Sequence, residues 1–226
     1  PKQDLPKVPF RALIGSLLFA STRTRPDIAT AVGILSRHMT HYNQDHWVAA
    51  KHILRYLRGT RDAVLMFRKD TSEALHGYAD ATYASDTSTS RSRTGYVLYL
   101  AHAPIAWVSR LQKTIASSSA ESEYQALASA AQEILFLRQL LSEMIGGDDA
   151  LPPTLLHCDN QPSIRVADRC STTMRHVRIR FHLIRQLVEE GVITLTYCNT
   201  SANIADIFTK PLPKPKHLEF CSKLLA

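Results

Sequence analysis

The longest helical pattern in the chain runs from Ser118 to Met144, and everything else must be arranged around it. Apolar residues recur at Tyr124, Leu127, Ala128, Ala131, Ile134, Leu135, Leu137, Leu140, Leu141 and Met144, close to a helical period. One long helix with a broad buried stripe is expected, stopped by Gly146 and Gly147. At its start Ser118 and Glu121 have the S-x-x-E spacing of a capping box. The serine hydroxyl accepts from an early helix N–H and the glutamate reaches back to the cap. Glu121 is therefore read as mainly structural, on the polar side above Gln125 and Gln132. Glu123 falls instead at the edge of the buried stripe, one turn before Leu127, and points toward whatever the helix packs on. A carboxylate in that position needs a cation or a metal as partner, unless it is a partly solvated helix glutamate. The helix alone does not decide between the two.

Composition narrows the partners. The 226 residues, 45% of them hydrophobic, suffice for one large domain or a medium domain with an appended segment. An excess of 27 Lys+Arg over 20 Asp+Glu gives a net charge of +7, which favours a polyanionic partner such as nucleic acid. Cys158, Cys170, Cys198 and Cys221 form neither a C-x-x-C pair nor a regular framework. That argues against a zinc ribbon or a secreted disulfide scaffold and for a reducing intracellular compartment. The most apolar early run, Ala12 to Ala20, is too short to span a bilayer and follows an amphipathic helix, so no membrane partner is expected. The chain begins at Pro1 rather than Met, as expected of a fragment or processed product.

Residues 9 to 20 read as a first helix, and Thr24-Arg25-Pro26-Asp27 supplies a cap and a first-turn proline for a second, running to about His38. A third begins near Gln44 and ends at Gly59. The histidines of this front part, at 38, 41, 46 and 52, are scattered and suggest no metal site. After Arg61-Asp62 the pattern changes to short apolar alternations, marking a boundary near residues 60 to 70. Strands are expected over Leu75 to Ala81, Thr94 to Leu100 and Ile105 to Val108. The Ser/Thr/Arg loop of residues 85 to 93 offers Arg91 and Arg93 as phosphate contacts or as plain solvated residues. The long helix follows, then a polar break in which Asp148-Asp149 reads as a solvated turn, since it lacks the strand flanks of a polymerase palm. Thr154 to Cys158 is a buried strand, Ser163 to Ala167 and Arg175 to Glu190 are helices, and Val192 to Tyr197 is a last strand. A short helix at Ile204 to Phe208 and a final one at 217 to 225 complete an α/β layout, with antiparallel hairpins first and crossovers later.

Asp80 ends the first strand, Glu123 begins the long helix, Asp159 ends the fourth strand and Asp206 lies in the helix after the fifth. In open α/β sheets, sites form at strand ends and helix starts, so these acids could converge. Four acids together would repel unless divalent cations filled the gap, and an all-oxygen set selects Mg²⁺ or Mn²⁺ over zinc. Two such ions can activate a water and stabilise the leaving oxygen of a phosphodiester displacement. Strand-end aspartates also serve simply as helix caps, and Asp159 could do so for the helix after Asn160.

At these residues the chain resembles the C-terminal part of the Pol polyprotein of copia-type LTR retrotransposons. The strings that carry the resemblance are Gly77-Tyr78-Ala79-Asp80, Arg93-Thr94-Gly95-Tyr96-Val97, Ile105-Ala106-Trp107-Val108-Ser109, Ser118 to Tyr124, Asp159-Asn160-Gln161 and Ala205-Asp206-Ile207-Phe208-Thr209-Lys210. The helical front is similar to the end of the family's reverse transcriptase, through Gly15-Ser16-Leu17-Leu18, Thr24 to Ala29 and Ile53 to Thr60. The resemblance implies residues 1–69 as the helical end of reverse transcriptase and 70–226 as an RNase H domain. Its fold would be a five-stranded mixed sheet flanked by helices. Its activity would be metal-dependent cleavage of the RNA strand of RNA/DNA hybrids, using two Mg²⁺ or Mn²⁺ ions held by Asp80, Glu123, Asp159 and Asp206. It further implies the reverse transcriptase palm and fingers as partners within the polyprotein, and a cytoplasmic, virus-like-particle location for the parent element.

The family often carries a second acid two residues after the first, where this chain has Thr82. The loop that holds a product-release histidine in cellular enzymes is here Asn199, Thr200 and Ser201. Arg175-His176-Val177-Arg178 matches a family segment only in part, so His176 is either a catalytic helper or a surface histidine near the hybrid. Arg175, Arg178, Arg180 and Arg185 make their helix basic, fit for phosphate contacts or merely solvated. Asn160, Gln161 and main-chain groups of Ala81 and Thr82 are candidates for contacts that select RNA through its 2′-hydroxyl. Two other functions are weighed: a non-catalytic hybrid-binding or scaffold module, and an integrase-type transferase. The usual acid order of the latter, Asp, Asp, Glu, differs from the order here. No polymerase activity is expected, because the palm aspartates are absent. The apolar stripes of residues 1 to 60 need cover, from the following domain or from a second copy of the chain.

Overall fold

A computed structural model of the chain describes residues 8–69, 74–145, 151–161 and 175–226, the side chains of 175–181 excepted. The expected turn at Asp148-Asp149 and helix at 163–167 lie outside the described residues. The chain divides into two compact units, one formed by the residues up to Met66 together with Pro211–Ala226, the other by Phe67–Lys210.

The first unit is helical: α1 (Phe10–Arg23), α2 (Ala29–Leu35) and α3 (Gln44–Gly59), with short 3₁₀ turns before and after α2. Phe10, Ile14 and Leu17 of α1 meet Val32, Leu35, Ala50 and Ile53 in its core. No side-chain cap forms at the stretch Thr24-Arg25-Pro26-Asp27, where the sequence leads one to expect one, and Asp27 is engaged elsewhere. Its carboxylate instead accepts from Nε and Nη2 of Arg25 at 2.9 and 2.7 Å and from the Tyr56 hydroxyl at 2.6 Å. The buried guanidinium also donates to Thr60, so charge and lone pairs are matched on both partners. Asn43 caps α3 by accepting from the His46 N–H, while Nδ1 of His46 accepts from the Asn43 N–H, a capping box closed by histidine.

The helix Lys214–Leu224 also clusters with this unit, although the sequence division into 1–69 and 70–226 puts it in the second domain. The reason is local. Val64 and Ala226 exchange both backbone hydrogen bonds, Cys221 Sγ lies 3.5 Å from the Tyr56 hydroxyl, and Phe220 and Leu224 are buried.

In the second unit five strands form one mixed sheet: β1 (His76–Thr82), β2 (Arg93–Leu100), β3 (Ala103–Leu111), β4 (Thr154–Cys158) and β5 (Ile193–Tyr197), in the order β3-β2-β1-β4-β5. The first three pair antiparallel, whereas β4 is parallel to both β1 and β5. This is the five-stranded mixed sheet the sequence leads one to expect. β3 is longer than expected because it pairs with β2 along its whole length, across a register shift at Leu98 and Tyr99. The long helix α4 (Ser119–Ile145) and the basic helix α5 (Arg175–Glu189) complete the layer. Leu98, Leu127, Ile134, Leu156, Ile184 and Ile193 are central to the core between sheet and helices. Among the described residues no helix is long and apolar enough to cross a membrane.

The first turns of α4 are buried without interruption from Ser122 to Ala128, which a single stripe does not foresee. Gln125, placed on the polar side by periodicity, is buried, and its Oε1 accepts from the Thr114 hydroxyl at 3.3 Å. The segment leading out of β3 thus covers the expected solvent face. Arg93 lies within β2 rather than in the loop before it; it is buried beside the Ser109 hydroxyl and is not free to contact phosphate.

One close approach positions the site. A Cβ on Gly95 of β2 would meet Thr209 Cγ2 at 2.6 Å, Phe208 Cβ at 2.7 Å and the Ala205 carbonyl at 2.9 Å. The 3₁₀ turn Ile204–Phe208 therefore lies directly on β2, with no room for a side chain. Gly95→Ala should lower stability by about 1–3 kcal/mol, because a backbone carbonyl cannot move aside as a side chain can. Urea unfolding of the variant checks this, and an unchanged midpoint would refute the close contact.

Candidate metal centre

Asp80 sits on β1 opposite Gly95. The parallel register of β1 and β4 pairs His76 with Leu155 and Tyr78 with His157, and continuing it by two residues sets Asp80 beside Asp159, just past the end of β4. Glu123 arrives from the first turns of α4, where its Oε2 accepts from the Ala81 main-chain N–H at 3.0 Å. One carboxylate oxygen from each of Asp80, Glu123 and Asp159 lies within 4.8 Å of the other two. The capping box at the helix start is shifted from its expected form. Ser118 Oγ accepts from the Glu121 N–H, but the Glu121 carboxylate accepts from the N–H and hydroxyl of Ser117. Glu121 is structural, and Glu123 is the acid turned inward.

Asp206 stands next to this trio, on the 3₁₀ turn pressed against Gly95. Two neighbours hold that turn in place. Asn203, fully buried, donates its side-chain N–H to the Ala79 carbonyl at 3.1 Å and accepts from the Ala205 N–H at 3.2 Å. Thr209 donates its hydroxyl to Asp80 Oδ2. Lys210 Nζ lies 2.8 Å from Asp206 Oδ1.

Crowding shows in the protonation of the acids. Burial pushes the Glu123 carboxyl up to about 9, with the charges of Asp80 and Asp159 adding to it and the Ala81 N–H opposing. Burial, then repulsion from Asp206, pushes Asp80 up to about 7 against the Thr209 hydrogen bond. At neutral pH Glu123 would then keep its proton and Asp80 would be only partly ionised, and added positive charge is what would make both fully anionic. Carboxylate oxygens so placed, with no histidine or cysteine in the set, suit a hard divalent cation. Burial pulls Lys210 down, yet the ion pair with Asp206, with the charges of Asp80 and Asp159, raises it overall.

The remaining candidates fare differently. The Ala81 N–H is committed to Glu123 and Thr82 pairs with Arg93 in the ladder, so these main-chain groups face the protein. Asn160 is half-buried and Gln161 exposed, both directly after Asp159. The helix that carries Arg175, His176, Arg178 and Arg180 is present, but those side chains lie outside the described residues. Arg185 pairs with Glu189 at 2.6 Å. Asn199 caps the 3₁₀ turn Thr200–Ala202 by accepting from the Ser201 N–H and hydroxyl. Sequence reading missed Gly95 and Asn203 as positioning residues. It also missed Thr209 and Lys210, although both lie in the string that ends with them.

No family model matches the chain. The chain is 36% identical over 217 residues, 95% of its length, to the retrovirus-related Pol polyprotein from transposon RE2 of Arabidopsis thaliana. It is also 36% identical over 226 residues, 99% of its length, to that from transposon TNT 1-94 of Nicotiana tabacum. It spans 15% and 17% of those two relatives. Among solved structures, a foamy viral protease-reverse transcriptase in complex with an RNA/DNA hybrid superposes with a TM-score of 0.50 at 13% identity, over 91% of this chain and 26% of that one. The sheet order, the helices that flank it and the sequence match together establish an RNase H-like fold behind a helical segment. The chain belongs to the family of retrovirus-related Pol polyproteins of copia-type transposons and contains an RNase H-like domain.

Proposed function

We propose that this chain cuts the RNA strand of RNA/DNA hybrids, with Asp80, Glu123, Asp159 and Asp206 as its catalytic acids and Mg²⁺ or Mn²⁺ as its ions. The observation that carries the reading is the closure of three buried or half-buried carboxylates within 4.8 Å, two of them pushed far above the ordinary carboxylate range. Nothing about folding requires acids to be crowded in this way, and the crowding costs stability. Divalent ions held there would lower the pKa of an attacking water and stabilise the leaving oxygen. The chain's own residues hold and orient: Ala81 fixes Glu123, Thr209 fixes Asp80, and the strand register fixes Asp159 beside it. Asn160 and Gln161, next to that aspartate, are the proposed readers of the RNA 2′-hydroxyl. Arg175, Arg178 and Arg180 of α5 are the proposed phosphate contacts, in keeping with the excess of positive charge. The remainder of the Pol polyprotein, with its polymerase palm and fingers, is the proposed partner, and the cytoplasmic particle of the parent element the proposed location.

A labelled RNA strand in a hybrid, incubated with Mg²⁺ or Mn²⁺, is expected to be cut by the wild type while free RNA and duplex DNA are spared. Asp159→Asn and Glu123→Gln should each lower the rate by about a hundredfold or more, since several kcal/mol of transition-state stabilisation depend on the ions. Hybrid binding without cleavage by a folded wild type would favour a scaffold role.

The electrostatics give a second expectation, for the metal-free protein. A carboxyl held above its unfolded pKa keeps its proton in the fold after the unfolded chain has released it. Stability is then fullest below the unfolded value, about 4, and falls as pH rises toward 7 for Asp80 and 9 for Glu123. Melting in a chelator should show a midpoint that declines from about pH 5 to about pH 9, and Glu123→Gln should flatten the alkaline part. A wild-type midpoint that holds constant or rises over that interval would contradict the crowding.

A further inference from the structure

Lys210 has no part in the reading above, yet among the described residues it is the cation in ion-pair contact with the acidic set. Its Nζ lies 2.8 Å from Oδ1 of Asp206, whose side chain is only 7% exposed, whereas that of Lys210 is 38% exposed. The lysine is anchored at its base, because its main-chain N–H donates to the Asp206 carbonyl at 3.2 Å, beside the Thr209 N–H at 3.1 Å. The ammonium therefore starts from a fixed point, at the end of a flexible four-carbon stem that is partly open to water. It can neutralise Asp206 and also swing away from it.

We propose that Lys210 is a tethered counter-cation, which neutralises Asp206 while the centre is free of metal and is displaced when a divalent ion takes that carboxylate. The inference rests on the reading of the four acids as metal ligands. An ion bound through Oδ1 of Asp206 must break the lysine contact, and one bound through the other oxygen meets the repulsion of the nearby ammonium, so Lys210 weakens metal uptake as it stabilises the metal-free centre. It is a positioning residue rather than a catalytic one. The neighbouring Thr209 serves Asp80 in a parallel way, with a neutral hydroxyl that need not leave.

The test uses the whole chain at one fixed pH, with Mn²⁺ alone as probe. Calorimetric titration and melting in a chelator are compared for the wild type, Lys210→Met and Lys210→Arg. Lys210→Met should melt about 2–4 °C lower without metal and bind Mn²⁺ roughly fivefold more tightly. Lys210→Arg, which keeps the charge, should restore the metal-free midpoint and the weaker binding. A residue that only fills space would change the midpoint and leave the affinity alone, and that result overturns the proposal. If the wild type binds Mn²⁺ and Lys210→Met binds it equally or more weakly, the counter-cation role fails while the metal centre stands. If neither protein takes up Mn²⁺, the reading of the acids as ligands fails and the proposal falls with it.

Discussion

The hydrogen bond from the Ala81 N–H to Glu123 Oε2 joins the two elements on which the second unit depends. It ties the strand that carries Asp80 to the first turns of α4, and so holds one buried acid close to another. The bond itself favours the charged carboxylate, while burial and the neighbouring aspartates oppose it, and the opposition prevails. A contact under that load must be held from outside. β1 is held by hydrogen-bonded strands on both sides, and the opening of α4 is buried from Ser122 to Ala128. The uninterrupted burial, which cuts across the helix's amphipathic pattern, is what keeps Glu123 from turning out to solvent.

The third side of the centre is built differently, by a short turn rather than a regular element. Residues 203 to 210 make few repeating hydrogen bonds, so their position depends on individual side chains. Asn203 hooks the turn to the Ala79 carbonyl, one residue before Asp80, and Gly95 lets it settle against β2. Such a turn can bring in a carboxylate at an angle that neither a strand nor a helix start offers. It also brings its own compensation, a hydroxyl for Asp80 and an ammonium for Asp206.

Most of this was legible from sequence where periodicity or a helix face governs the outcome. The alternation of β1, the run of β4 and the long apolar repeat of α4 gave elements close to those observed, and the helix-face argument chose Glu123 over Glu121. What escaped was set by tertiary contact. Gln125 reads as a polar-face residue because periodicity knows nothing of the segment after β3 that covers it. Arg93 reads as a loop cation because its burial in β2 depends on β3 running to Leu111. The helix Lys214–Leu224 reads as the tail of the preceding domain because sequence order cannot reveal that Ala226 pairs with Val64. The stretch Thr24 to Asp27 reads as a helix cap because Tyr56 and Thr60, which hold the Arg25–Asp27 pair, lie far along the chain.

The strings that carry the family resemblance can be understood as contact sets rather than as signatures. In Ala205-Asp206-Ile207-Phe208-Thr209-Lys210, the Ala205 carbonyl and Phe208 Cβ bear on Gly95, and Ile207 and Phe208 are buried. Asp206 faces the acids, and Thr209 and Lys210 answer two of their charges. In Gly77-Tyr78-Ala79-Asp80, a Cβ on Gly77 would run into Leu98 Cδ2 and come within 2.8 Å of the Val97 carbonyl, and Ala79 offers its own carbonyl to Asn203. The two strings are far apart in sequence but meet through Asn203, Gly95 and Thr209. A change in either is therefore felt at Asp80. This explains physically why apolar and small residues belong to these motifs together with the acids: the acids supply the charge, and their neighbours fix how close those charges are forced to lie.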